Sequence, residues 1–369
     1  GGRPVDAVEQ GFEVAADHFR PFNTPRFNIM PREPRLNSCQ GLQILMALGE
    51  RTMLMLMFLT RMAISVMTTE REIAVRDHWL ATSFGSPGSA HESVCAPFSF
   101  AIGDKRSSDL LPSWTLERTD RPPEGQTRVS RITWRDPGSG LECTCLITQF
   151  LDFPAAEWVL FFRNSGNADS PVLDDIQALD CGLPLTREKG ARLRYAKGSE
   201  CRLDDFAPLS VSLGPNEQDP QGAWVGESNP LRLESLGGRS SCGALPFFNL
   251  DMGAHGVIGA VGWTGDWTAR FYRTEAQVCM RAGMRRTHLK LLPGEEIRSP
   301  RILLLFWEGD AIRGHNLLRQ FILSHHRPRV DGRPAQAPIA NATWGGNFAD
   351  KHIAHGRWWK EQGLPLEYL

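Results

Sequence analysis

The chain has 369 residues, 41% hydrophobic and 22% charged, with a formal net charge of -1. That balance predicts a soluble globular protein with room for two or more domains. It leaves no basic footprint for a nucleic acid, and no apolar run reaches the roughly 18 residues that a membrane span needs.

Residues 1–66 read differently from the rest. They hold six of the ten Met, and residues 53–59 are an apolar run of seven flanked by Arg51 and Arg61. Residues 19–36 are rich in Pro, Arg and Asn and follow neither a helical nor a strand period. Met67 opens a natural-looking start, Met67-Thr68-Thr69-Glu70. The expectation is that residues 1–66 are an upstream extension from a mis-assigned start, the alternative being a helix over 43–66.

From 67 to 309 the chain reads as strands. Residues 128–134 and 141–150 flank Asp136-Pro137-Gly138-Ser139-Gly140, a hairpin that puts Cys143, Cys145 and Ile147 on one face. Further runs lie at 157–163, 172–179, 192–196, 231–236, 255–263, 269–273, 276–284, 288–292 and 298–307. Strands at this spacing with no helix between them predict a large antiparallel sandwich rather than a βαβ sheet. The eight Cys form no Cys-x-x-Cys, so no zinc knuckle is read, and reduced core thiols in a cytoplasmic protein are expected.

The period then changes. Residues 310–326 repeat apolar positions at helical spacing behind Asp310, a suitable cap. A linker through Pro328 and Pro334 completes the segment 310–337. Residues 338–369 read as strand (339–344), helix (350–362) and strand (366–369). That is how a parallel (β/α)8 barrel begins, and a whole barrel takes roughly 250 residues. The fold class predicted is therefore mainly β: a large antiparallel β-supersandwich followed by the truncated start of a (β/α)8 barrel.

Five stretches carry a resemblance. They are PFSFAIGDKRSSDLLPSW (97–114), DFPAAEWVLFFRNSGNADSPVLDDIQALD (152–180), GGRSSCGALPFFNL (237–250), GVIGAVGWTGDWTARF (256–271) and RAGMRRTHLKLLPGEEIRSPRILLLFWEGD (281–310). Together they resemble the N-terminal part of α-galactosidases of glycoside hydrolase family 36. The resemblance implies a supersandwich ahead of a catalytic barrel. It also implies a retaining reaction on terminal α-galactosides with one Asp as nucleophile and another as acid/base, and no cofactor or metal. Those carboxylates belong to later barrel strands and have no counterpart here, so no catalytic residue is assigned and the fragment is expected to be inactive. The alternative is a non-catalytic carbohydrate-binding or oligomerisation module. Association into a homo-oligomer is left open.

Trp344, at the end of the first barrel strand, is the candidate sugar contact, since an indole stacks on a sugar ring. Trp263 and Trp267, flanking Thr264-Gly265-Asp266, are weaker candidates that packing explains as well, and Trp114 is read as packing. The pairs Glu295-Glu296 and Asp174-Asp175 read as solvated turn residues. His325-His326 suit a helix C-terminus. His352 and His355 share a helix face but lack the further ligands of a metal site.

Overall fold

The computed structural model describes residues 67–86, 96–185, 190–214, 225–340, 348–365 and 367. The expected N-terminal extension and Trp344 lie outside the described residues, as do most of the predicted strands 339–344 and 366–369.

In chain order the elements begin with α1 (Glu70–Phe84), β1 (Ser99–Ile102), β2 (Lys105–Arg106), β3 (Thr115–Asp120), β4 (Thr127–Arg135), β5 (Leu141–Phe150) and β6 (Ala155–Asn164). Then come β7 (Leu173–Gln177), β8 (Leu179–Pro184), β9 (Ala191–Lys197), β10 (Pro208–Leu213), β11 (Leu231–Leu236), β12 (Arg239–Asp251) and β13 (His255–Gly262). The main later elements are β14 (Trp267–Arg273), β15 (Gln277–Met284), β16 (His288–Leu289), β17 (Glu296–Arg298), β18 (Arg301–Glu308), α2 (Ala311–Phe321) and α3 (Ala349–Glu361).

The predicted hairpin is β4–β5, in register from Thr127↔Phe150 to Arg135↔Glu142. Asp136 makes its turn by accepting from the Gly138 and Ser139 amides, and Gly140 supplies the positive φ. Cys143, Cys145 and Ile147 share the buried face, as the period of two requires.

One antiparallel layer runs β3-β4-β5-β6-β18-β13-β12, extended by β9 and β10, with β17 beside β6. A second runs β11-β14-β15-β8. β12 joins them. Its residues 247–251 pair with β13, while Gly243 and Arg239 pair with β11. The switch falls at Gly243, with φ +83 and the Glu234 carbonyl 2.8 Å from where a Cβ would sit, so any side chain there collides with backbone. A small sheet, β16-β7-β1-β2, and a short hairpin, Arg329–Val330 with Arg333–Pro334 in the segment expected as a linker, complete the described β structure.

The core lies between the two layers. Trp158, Phe162 and Leu304 face Trp267, Phe271 and Met280 in one apolar cluster, and the Phe248 and Phe271 rings meet at 4.7 Å. The first layer is covered on its other face too: Leu303, Leu305 and Ile258 pack on Leu317 and Phe321 of α2. Burial on both sides is why β18 reads as a continuous apolar run rather than an alternating one.

α1 corrects the expectation of strands alone between 67 and 308. Its signal was local: Thr69 and Glu72 form a capping box, each side chain bonding the other's backbone amide. The helix docks through Trp79 on Trp158 and Phe306, with ring centroids 5.5 and 5.7 Å apart. The fully buried Arg76 donates to the carbonyls of Phe150, Phe153 and Ala155, tying α1 to the loop before β6.

The two C-terminal helices fall near their predicted places. Asp310 caps α2, accepting from the Arg313 amide at 2.8 Å. The last predicted turn, Ile322–His326, widens to a π-helix. α3 buries no residue, and Ile353 and Trp358 are more than half exposed. Among the described residues no helix is long and apolar enough to cross a membrane.

Candidate functional site

A cleft of about 920 Å³ opens between α1 and the ends of both layers. α1 contributes Arg71, Glu72, His78 and Trp79 to its wall. The edge strand β8 and its neighbour β15 contribute Asp180, Cys181, Gln277 and Cys279, and β14 adds Tyr272. His255 and the end of β18, Phe306 to Glu308, close the far side. The Gln277 amide lies across Gly182 where a Cβ would stand, so a side chain there would displace it.

Each carboxylate on this wall is engaged. Glu72 is fully buried and accepts from Arg313 Nε at 2.9 Å and Nη2 at 2.8 Å, and from the Thr69 and Glu308 amides at 2.8 and 3.1 Å. Burial alone would raise its pKa, but these hydrogen bonds outweigh it and hold the carboxyl below its ordinary value. Asp180 accepts from Arg281 Nε at 3.0 Å and Ser99 Oγ at 2.5 Å. Glu308 pairs with Arg71 at 2.8 Å. Burial pushes the Cys279 thiol up. Burial and a hydrogen bond with that thiol push the Tyr272 phenol up to about 12. Both groups are neutral at physiological pH, so Cys279 offers no thiolate nucleophile.

The Glu72 shift fixes the sign of one pH effect. A carboxyl held below its unfolded value stabilises the fold fully above that value, about 4.3 for Glu. The contribution fades as pH falls through the lower folded value. Urea unfolding in pH steps is expected to show the native chain losing stability below about pH 4.3 more steeply than Glu72→Gln. Equal slopes would contradict the coupling.

The cleft can therefore hold a polar ligand against an aromatic wall. Its acids Glu72, Asp180 and Glu308 are each held by cations, hydroxyls or amides of the protein itself. Among the described residues no three His, Cys, Asp or Glu are placed to share a metal ion.

The layered body can be compared with known proteins. Its fold is that of family 36 α-galactosidases. A variant of α-galactosidase AgaA from Geobacillus stearothermophilus, in complex with stachyose, superposes with a TM-score of 0.54 at 14% identity, covering 74% of this chain and 38% of that one. AgaB from the same organism gives 0.52 at 15%, covering 73% and 38%. The Lactobacillus brevis α-galactosidase gives 0.52 at 13%, covering 75% and 38%. This chain thus spans about two fifths of the length of the α-galactosidases it matches. No family model and no curated protein matches it.

Within this α-galactosidase-like fold, the candidates from sequence separate. Trp267 is buried in the core, its indole N–H donating to the Ser240 carbonyl at 2.7 Å. Trp263 is half-buried, with the Arg298 guanidinium 5.2 Å from its ring centroid. Neither lines the cleft, and Trp344 lies outside the described residues. Trp114 is buried beside Phe100.

Glu295 closes its own turn by accepting from the Leu292 amide. Asp174-Asp175 are partnered as well as solvated: Asp174 bonds His288 and Asp175 bonds Arg281, each at 3.0 Å. His325 and His326 reach back to Asp152 at 3.0 Å and Glu157 at 2.5 Å, anchoring the helix end on the first layer. His355 stacks beside Trp359. Sequence reasoning missed Asp180, Tyr272 and Cys279, which meet only because β8, β14 and β15 are neighbours; nothing local to each residue announces that.

Proposed function

We propose that this chain carries the sandwich of a retaining α-galactosidase-like glycoside hydrolase acting on terminal α-galactosides. The observation that carries the reading is the fold correspondence over 74% of the chain at a TM-score of 0.54. Solved AgaA variants hold stachyose and raffinose, both oligosaccharides. On this reading residues 338–369 supply the first βα unit of the barrel, with α3 as its helix and Trp344 as a wall of the sugar pocket. The reacting carboxylates stand on barrel strands not contained in these 369 residues.

The test is an assay on a nitrophenyl α-galactoside. The purified 369-residue chain is expected to release no nitrophenol. A polypeptide that continues the reading frame through a barrel is expected to hydrolyse the substrate, with α-galactose as the first product in a proton spectrum. Turnover by the 369-residue chain, or β-galactose as first product, would overturn the proposal. The engaged acids of the cleft favour a second reading, a carbohydrate-binding module. Calorimetry showing galactoside binding by the 369-residue chain, with no hydrolysis by the longer polypeptide, would select it.

A further inference from the structure

The outward face of the β11-β14-β15-β8 layer carries a row of charge fixed by register. Arg232 stands directly across from Arg270, Arg270 from Arg281, and Arg281 from Asp180. Side chains directly opposite on neighbouring strands are about 4.5–5.5 Å apart at Cβ, and like charges there are destabilising. Three guanidiniums in line therefore need a reason.

Only one of the three is directly ion-paired within the protein. Arg281 Nε bonds Asp180 and its Nη2 bonds Asp175, both at 3.0 Å. Glu234 is the other acid beside the row, and its nearest cation is Arg285 at 3.4 Å. Arg285 also lies 3.6 Å from Asp266. Beyond the strand ladder, the side chains of Arg232 and Arg270 make no hydrogen bond or close ion pair with any described residue, and Asp175 and Glu234 act on Arg270 only through space.

The row borders three polar atoms that are buried and unpartnered. They are Arg270 Nε, Thr268 Oγ1 and Gln177 Oε1. Thr268 lies two residues before Arg270 on the same strand face and directly across from Gly283. β7 crosses over Gly283 so closely that a Cβ there would lie 2.8 Å from Gln177 Cα. Register and crossing thus bring the three to one place. Thr268 and Gln177 are each only 1% exposed. The Gln177 amide nitrogen bonds Asp175 at 2.9 Å, which leaves its oxygen facing as an acceptor. Burial, with the neighbouring Arg232 and Arg281, depresses the Arg270 pKa, and the nearby Asp175 and Glu234 offset only part of that.

We propose that Arg232 and Arg270, with Thr268 and Gln177, form a phosphate-binding site on this sheet face. Two adjacent guanidiniums suit an oxyanion with several terminal oxygens. Arg270 Nε and the Thr268 hydroxyl donate to it as well. Gln177 Oε1 is the selective element: an acceptor there takes the proton of a P–OH and repels an oxyanion that has none. The site therefore takes free inorganic phosphate, which keeps a P–OH at pH 7, in preference to sulfate or to a monoester, whose second pKa is about 6.

The test uses the whole 369-residue chain, titrated at pH 7 with inorganic phosphate at constant ionic strength set by chloride. Saturable heat and a rise in Tm are expected, with sulfate binding more weakly. Arg232→Met and Arg270→Met should each weaken phosphate binding about tenfold or more, the loss of a charge-assisted hydrogen bond. Arg232 is exposed, so its substitution leaves the fold intact and keeps the test open if Arg270→Met fails to fold. Gln177→Leu should erase the preference over sulfate. An arm with galactose 1-phosphate, mostly dianionic at pH 7, is expected to bind more weakly than inorganic phosphate; tighter binding would contradict the role given to Gln177. No saturable response, sulfate binding as well as phosphate, or undiminished binding in the Arg232 variant would overturn the site.

Discussion

Replacing Trp158 by alanine is expected to destabilise the fold by about 3–5 kcal/mol, the range for deleting a large buried aromatic. Trp158 is 1% exposed and stands where three elements meet. Its ring lies 5.5 Å from Trp79 and 5.7 Å from Phe84 of α1. Its indole N–H donates to the Ala178 carbonyl, just ahead of β8, at 2.7 Å. Alanine removes the packing and strands that carbonyl, so two penalties act together. Trp158→Phe keeps most of the ring and loses mainly the hydrogen bond, so it should cost about 1–3 kcal/mol. Urea midpoints at unchanged m-value measure both. Equal midpoints for native and alanine chains would show that α1 does not rest on this tryptophan.

Arg313→Met is the second large effect, about 3–5 kcal/mol, because it leaves Glu72 as a buried carboxylate without its cation. The pair joins α1 to α2, elements separated by most of the β structure in sequence, through two hydrogen bonds of 2.8 and 2.9 Å. Glu72 keeps the Thr69 and Glu308 amides, which hold it in place but supply no charge. Glu72→Gln combined with Arg313→Met should cost less than the sum of the two single changes, since neither then leaves a charge uncompensated. Additive costs would mean the pair is not coupled.

The strands were legible because half-buried and fully buried strands leave different marks. β4 and β5 alternate, β11 does so over 231–236, and β18 shows a continuous apolar run closed by turn residues. The cap of α2 was legible because Asp310 precedes a helical period. α1 was not, because its apolar residues are few: Trp79 and Phe84 do the docking, while the buried Glu72 and Arg76 look like surface residues in sequence. The strands β1 and β3 are short or largely exposed and mark no clear period, whereas β10 alternates Leu209, Val211 and Leu213 with serines, a strand signal the expected runs left out. The cleft was illegible for a further reason. Asp180, Tyr272 and Cys279 converge through strand order, which composition and spacing do not encode. Trp267 shows the converse: a tryptophan beside a Gly-Asp turn suggests a sugar platform, yet its indole N–H is directed to a carbonyl inside the protein.

On the proposed function, this α-galactosidase-like sandwich supplies no nucleophile to a sugar, because the cleft acids Glu72, Asp180 and Glu308 are each engaged within the protein. Intact-mass measurement after incubation with a mechanism-based α-galactosidase inactivator, which esterifies a retaining enzyme's nucleophile, tests this most directly. The account predicts no added mass on the 369-residue chain. A stoichiometric adduct mapping to Glu72, Asp180 or Glu308 would contradict it.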